Sequence, residues 1–287
     1  MASESRAGTP RYDAMAPIAV GPLVHLAAGD LQVDLAPQAG GRIAQIHVDG
    51  IEQLIGPESG RLDAIQWGCY PMLPWAGRIR EGRFHFEGRN WQLPINMPPH
   101  ALHGLGYALP WTLDASTDDS AELSLHLPQD PGWPFGGIAR QRLTLRDRQL
   151  HLHLSLQAGE QAMPAVIGWH PWFRKPDQLI FDAPLYYPRD AHGMATLPLA
   201  PPPLHPWDDC FLGPAEVVLL RGNQRLQLTS DQQHWVVYDA PAHATCVEPQ
   251  TGPPDAFNLT PHVLATGEVL AMEFLFDWRQ PGSSADA

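Results

Sequence analysis

Glu248 sits in the run Val247-Glu248-Pro249-Gln250-Thr251-Gly252-Pro253-Pro254-Asp255-Ala256-Phe257-Asn258, a carboxylate held among prolines and apolar residues, with a second at Asp255. Such surroundings are rigid and poorly hydrated. Burial makes the charge costly and moves the pKa toward neutrality, where a carboxylate serves as a general base. A base of this kind needs an acid. Two histidines in apolar, Gly- or Pro-bearing stretches offer one: His103 in Leu102-His103-Gly104-Leu105, and His170 in Gly168-Trp169-His170-Pro171-Trp172-Phe173. An imidazole titrates near neutral pH, so it gives and recovers a proton in one cycle. His170 is the stronger candidate, because Trp169, Pro171, Trp172 and Phe173 fix its orientation and offer aromatic surface to a ligand. Taken alone, either histidine is more often a partly buried ring satisfied by a backbone carbonyl.

Other polar groups in rigid settings extend this set. Arg78, in Tyr70-Pro71-Met72-Leu73-Pro74-Trp75-Ala76-Gly77-Arg78-Ile79-Arg80, can present a fixed fork of donors to hydroxyls; the plain alternative is a loop-capping arginine. Asp208 and Asp209, in Trp207-Asp208-Asp209-Cys210-Phe211, are equally a hydroxyl acceptor or a turn. His151 and His153 lie two apart on the polar face of a strand, but no acidic or histidine cluster follows at metal-site spacing, so they read as a solvated face. Gly104-Leu105-Gly106 lacks the third glycine of a dinucleotide site, and neither GxSxG nor a phosphate loop occurs.

The elements that must position these groups are strands. Leu143 and Leu145, then Leu150, Leu152, Leu154 and Leu156, alternate with polar residues about Arg146-Asp147-Arg148-Gln149, which is a hairpin with one buried face. Residues 84–93 and 219–228 repeat the pattern. Leu123, Leu125 and Leu127 mark one strand, and Met272, Phe274, Phe276 and Trp278 a closing one. Thirty-one prolines leave little room for long helices. The expected fold is all-β, a large antiparallel sandwich of many short strands, with residues 18–279 as one domain and 1–17 and 280–287 as loose ends. The candidate residues then fall at strand ends or in links, where 78, 103, 170, 208 and 248 can share one cleft.

Composition narrows the partners. A hydrophobic share of 44% supports a sizeable core, and a net charge of −13 disfavours nucleic acid, anionic membranes and strongly anionic substrates. Cys69, Cys210 and Cys246 are odd in number and widely spaced, which fits reduced thiols in a cytoplasmic protein. Residues 1–16 hold no apolar leader, no stretch is long enough to span a bilayer, and Asn258-Leu259-Thr260 reads as a chance sequon.

The ordered set is more specific than any member. Pro-Trp-Ala-Gly-Arg-Ile at 74–79, Leu-His-Gly-Leu at 102–105, Gly-Trp-His-Pro-Trp-Phe at 168–173, Asp-Asp-Cys-Phe at 208–211 and Val-Glu-Pro-Gln at 247–250 together resemble the aldose 1-epimerase (galactose mutarotase) family. The resemblance spans about residues 20–278 and implies a large twisted antiparallel β-sandwich with its site in a cleft on one sheet. It implies Glu248 as general base, His170 as general acid, and His103 as a second histidine near the sugar's ring oxygen. Arg78 and Asp208, or the adjacent Asp209, would hold ring hydroxyls, with Trp172 and Gln250 as further sugar contacts. Asp255 then supports the loop rather than acting as a second catalytic carboxylate, which argues against a two-carboxylate glycosidase. Members of the family often carry Asn before the arginine; Gly77 here withdraws one side-chain contact. The chain is also shorter than typical galactose mutarotases, and its Leu-His-Gly-Leu-Gly-Tyr-Ala-Leu-Pro-Trp stretch resembles broadly distributed bacterial relatives, which points away from galactose as the specific sugar.

The implied reaction interconverts α and β anomers of a free aldose by acid–base ring opening and closure, with no metal or cofactor, in a monomer or homodimer. One alternative is the same reaction on a hexose 6-phosphate, with Arg80, Arg83 and Arg174 as phosphate donors. Another is a sugar-binding protein without turnover.

Overall fold

The computed structural model describes residues 13–213 and 216–279. The expected loose ends at 1–12 and 280–287 lie outside the described residues. Residues 13–17, read with them, are docked: Ala14 is fully buried, its N–H donates to the Asn96 carbonyl, and Pro17 bridges to Asp63.

Period-two alternation builds the smaller of two large sheets. Along Gln149–Gln157, Leu150, Leu152, Leu154 and Leu156 are buried while His151 and His153 are only half-buried. This strand pairs antiparallel with Ile138–Arg146 on one side and Val269–Asp277 on the other. The eight strands run in the order Thr112–Ser116, Ser120–His126, Ile138–Arg146, Gln149–Gln157, Val269–Asp277, Gln224–Ser230, Val217–Arg221 and Gln178–Phe181. The hairpin expected at 84–93 also forms, as Arg83–Phe86 against Arg89–Gln92, closed by Glu87 and Gly88 at φ 49° and 72°. Both central residues are left-handed, as a two-residue turn of matching twist requires.

The larger sheet has ten strands. Its main path is Val24–Ala28, Leu31–Ala36, Arg42–Val48, Cys69–Met72, Gly168–Arg174, Ala244–Gln250, His234–Tyr238, Asp208–Leu212 and Leu185–Tyr187, with Ile51–Glu52 beside Arg42–Val48. The two sheets meet through aromatic rings. Phe173 and Trp235 from the larger sheet contact Phe276 and Phe274 from the smaller, at 5.5 and 6.0 Å between centroids. Gln141, buried in the smaller sheet, donates to the Gly41 carbonyl across the gap. The architecture is the expected antiparallel β-sandwich. Helix is confined, among the described residues, to Ala256–Leu259 and three short 3₁₀ turns. No helix of the described residues is long and apolar enough to cross a membrane.

One expectation is corrected. His170 and Glu248 lie inside strands, not in links or at strand ends: Gly168–Arg174 and Ala244–Gln250 are central in the larger sheet, and every residue from 244 to 250 is buried. Strands covered on both faces read as continuous apolar runs rather than alternation. Pro171 and Pro249 hide them further, because neither has an amide hydrogen for a ladder. The structure accommodates both prolines in one place. Paired register holds at Gly168 with Gln250 and at Trp172 with Cys246, and lapses in between.

Candidate active site

That register decides the centre of the site. Between the Gly168–Gln250 and Trp172–Cys246 pairs, His170 falls opposite Glu248. Directly opposed residues of antiparallel strands project to the same face. The same face carries Tyr70 opposite His170, Val236 opposite Glu248, Tyr238 opposite Cys246, and Asp208 opposite Tyr238. Alternation sends Trp169, Phe173 and Trp235 the other way, into the core. Five adjacent strands thus converge their polar groups on one wall.

His170 Nε2 stands 3.3 Å from Glu248 Oε1, with both side chains almost wholly shielded from water. The imidazole is held between rings: Tyr70 stacks on it at 4.8 Å and Trp172 at 5.5 Å. Burial pushes His170 down to about 3, and the buried Arg42 guanidinium acts in the same direction. Arg42 lies 5.1 Å over the Tyr70 ring and donates to the carbonyls of Ala39, Trp67 and Tyr107. Burial, and then the Asp208 charge, hold the Glu248 carboxyl well above its ordinary value; Arg78 and the Gln250 amide, 3.4 Å away, pull it back. Both partners therefore favour their neutral forms, and the pair holds one proton between them.

His103 enters from a loop. It adopts φ 57°, followed by Gly104 at 72°, where a Cβ would stand 2.0 Å from the Leu73 carbonyl oxygen. Its N–H donates to the Gly77 carbonyl, and the Gly77 N–H donates to His103 Nδ1 at 3.3 Å. With Nδ1 accepting, the neutral ring carries its hydrogen on Nε2. Burial, then His170 and Arg78, hold this ring well below the ordinary imidazole value. It meets His170 edge-on at 5.0 Å.

The eight residues that the family resemblance assigns to the site all line one cleft of about 250 Å³: Glu248, His170, His103, Arg78, Asp208, Asp209, Trp172 and Gln250. That is just below the roughly 300–1,000 Å³ of pockets for drug-sized ligands, and it suits a monosaccharide. Both aspartates line the cleft, and Arg189 forks between them, Nη1 to Asp208 at 2.8 Å and Nε to Asp209 at 2.9 Å. Burial raises Asp208, against Arg78 and Arg189. Asp255 is not in the wall. It ties the wall together, its N–H donating to the Arg78 carbonyl while its carboxylate accepts from the Arg80 N–H and the Asn258 amide.

The sequence reading missed Arg189, Tyr238, Tyr187 and Met15, which also line the cleft. Tyr238 had a usable signal, since it ends a half-buried strand, His234–Tyr238. Arg189 had none, as an arginine in Pro-Arg-Asp looks like any solvated loop residue. The cysteines are free and buried, and Cys210 lines the cleft. His151 and His153 stay on the outer face of the smaller sheet, opposite Thr144 and Arg142.

The fold is an antiparallel β-sandwich with a buried carboxylate–imidazole pair, flanked by arginine and aspartate side chains, in one cleft, an arrangement suited to acid–base chemistry. The chain belongs to the aldose 1-epimerase family, whose model matches residues 22–277. It is 27% identical over 277 residues to the uncharacterized protein YihR of Escherichia coli, covering 83% of this chain and 86% of that one. Among solved structures, a galactose mutarotase-like protein from Clostridium acetobutylicum superposes with a TM-score of 0.78 at 16% identity, covering 88% of this chain and 94% of that one. Galactose 1-epimerase from Lactobacillus acidophilus gives 0.74 at 16%, covering 89% and 94%. At such identities these two likenesses concern the fold.

Proposed function

We propose that the protein is a mutarotase acting on a free aldose. The observation that carries this reading is the 3.3 Å approach of His170 Nε2 to Glu248 Oε1 on the cleft wall. A sugar entering there meets a base and an acid side by side. Glu248, as carboxylate, takes the proton of the anomeric hydroxyl while protonated His170 gives one to the ring oxygen. The bond from the anomeric carbon to the ring oxygen breaks, leaving an open-chain aldehyde. The aldehyde carbon turns about its bond to the neighbouring carbon. The former ring oxygen then attacks the other face, returns its proton to His170, and the new hydroxyl regains one from Glu248. The ionised and resting pairs hold the same number of protons, so entry to the cycle is an internal transfer from Glu248 to His170. Arg78 and the His103 Nε2–H supply donors for the oxygens, which favours that charge separation.

Cleft charge supports a neutral sugar over a hexose phosphate. Arg78 and Arg189 are offset by Asp208 and Asp209. Arg80, Arg83 and Arg174 do not line the cleft, and each is engaged by acids: Asp190 for Arg80, Glu81 for Arg83, Glu52 and Glu58 for Arg174. Among the described residues, a phosphate dianion would find no cluster of uncommitted donors there. The test is polarimetry on α-glucose, α-galactose and glucose 6-phosphate with wild type and Glu248→Gln. Faster mutarotation of a free sugar by wild type, lost in the variant, supports the reading. Sugar binding without any acceleration, or a preference for the phosphate, overturns it.

A further inference from the structure

The wall that holds the acid–base pair carries a third donor that the proposed reaction does not use, the thiol of Cys246. It lies two residues before Glu248 on the same strand, opposite Trp172, and is fully buried. Two-residue spacing on a strand puts Cys246 and Glu248 on one face. One ring nitrogen of His170, the Cys246 Sγ and a Glu248 carboxylate oxygen all lie within 4.8 Å of one another. Among the described residues, this is the one place where three such donors gather.

We propose that His170, Cys246 and Glu248 form an inhibitory site for a soft divalent cation of the zinc class, whose fourth position opens to the cleft. Zinc takes nitrogen, sulfur and oxygen ligands at roughly 2.0–2.3 Å, which at tetrahedral angles sets donors about 3.3–3.8 Å apart. His170 and Glu248 already stand at 3.3 Å. The sulfur, within 4.8 Å of both, has to close by at most about 1 Å to reach that spacing. Thiolate, carboxylate and neutral imidazole together balance a double positive charge, so the ion enters a low-dielectric wall without leaving net charge behind. As it binds, the thiol proton and the one proton held between His170 and Glu248 leave to solvent. The thiol also sets selectivity, because magnesium and calcium prefer all-oxygen shells. Inhibition follows directly. The ion occupies the imidazole nitrogen and the carboxylate that would move protons, and it stands where the sugar must enter.

The test uses chelator-stripped full-length protein. Cobalt(II) chloride added to wild type should give a thiolate-to-cobalt charge-transfer band, displaced by zinc and absent in Cys246→Ser and Cys246→Ala. This readout needs no turnover, so it stands even if the anomer-exchange reading fails. In polarimetry, zinc chloride should slow wild type while magnesium chloride does not. The zinc concentration for half-inhibition should rise by at least roughly 10–100-fold in Cys246→Ser, the loss usual for even an outer-shell partner of a metal ligand. Without metal, the same variant should keep its rate within about threefold, as expected of a small change away from the reacting atoms. No cobalt–thiolate band in wild type, or equal zinc inhibition of wild type and both folded variants, overturns the site.

Discussion

His170 and Glu248 face each other across two adjacent antiparallel strands, 3.3 Å from Nε2 to Oε1, in the interior of a sheet whose other face is core. Their spacing is set by backbone register, not by a loop. A loop-borne pair could drift; a pair fixed by strand register is held within the tolerance that proton transfer needs. The stretch without ladder bonds around Pro171 and Pro249 is the local cost of that placement.

If the two groups act as one unit, removing either should remove most of the effect. Glu248→Gln and His170→Asn are each expected to lower kcat for anomer exchange by about 10²–10⁴, the usual worth of a positioned acid or base. The double variant should be scarcely worse than either single one, because groups that pass one proton between them are not additive. Polarimetry of all three, with circular dichroism to verify folding, decides. Losses that multiply in the double variant would mean two independent roles.

Stability should respond to the same pair with opposite signs. Glu248 is held above its ordinary value, so above about pH 4.5 the unfolded chain loses a proton that the folded protein keeps, and stability falls as pH rises toward the folded value. Glu248→Gln removes that penalty. Its melting temperature should exceed that of wild type at pH 8 and converge on it near pH 4.5, with ~2–4 °C for each kcal/mol recovered. His170, pushed down to about 3, works in the other window: between about pH 6.5 and 3 the unfolded chain binds a proton that the folded one refuses, so acid destabilises. Thermal melts of wild type, Glu248→Gln and His170→Asn from pH 4 to 8 separate the two. A Glu248→Gln gain independent of pH would refute the linkage.

The smaller sheet was readable from sequence because one of its faces is solvated, so Leu150 to Leu156 alternate with polar residues. The larger sheet was not, because strands such as Ala244–Gln250 are buried throughout and alternation vanishes. The candidate residues could be picked out by type and by their ordered resemblance to a family. Their opposition could not, since which residue of 168–174 faces which residue of 244–250 is a property of register. Arg189 escaped because its role depends on a partner pair, Asp208 and Asp209, that is distant in sequence and becomes its neighbour only through folding.

Arg189 makes a specific demand of its own. It holds both aspartates, and Asp208 is the more exposed of the two. Arg189→Met should free Asp208 to wander and leave two carboxylates unscreened beside each other. The expected result is a KM for the sugar raised by roughly 3–30-fold, the equivalent of one charge-assisted hydrogen bond in a partly solvated site, with kcat changed far less. Steady-state kinetics on the preferred aldose checks this. A fall in kcat at constant KM would place Arg189 in the chemistry instead.

Gly77 precedes Arg78 in the cleft wall, and the structure gives a reason for a glycine there. Its φ is 68°, and a Cβ there would stand 2.9 Å from Pro254 Cβ and 3.0 Å from Pro254 Cγ. Glycine at 77 and proline at 254 are therefore matched: the proline fills the room that a side chain at 77 would take. The same glycine donates its N–H to His103 Nδ1 and accepts the His103 N–H, so it also sets that ring's tautomer. Gly77→Ala should destabilise by about 1–3 kcal/mol, from left-handed strain and the clash together, and lower anomer exchange by displacing His103. Gly77→Asn should strain the backbone less, since Asn tolerates φ > 0, yet meet the same proline. Adding Pro254→Gly, which removes both the Cβ and the Cγ that a side chain at 77 would meet, should restore part of the lost stability to Gly77→Asn, whereas in wild type it only loosens the loop. Chemical denaturation of the four proteins, read as a double-mutant cycle, measures that coupling. A coupling of zero would show that the proline does not occupy the space the asparagine needs.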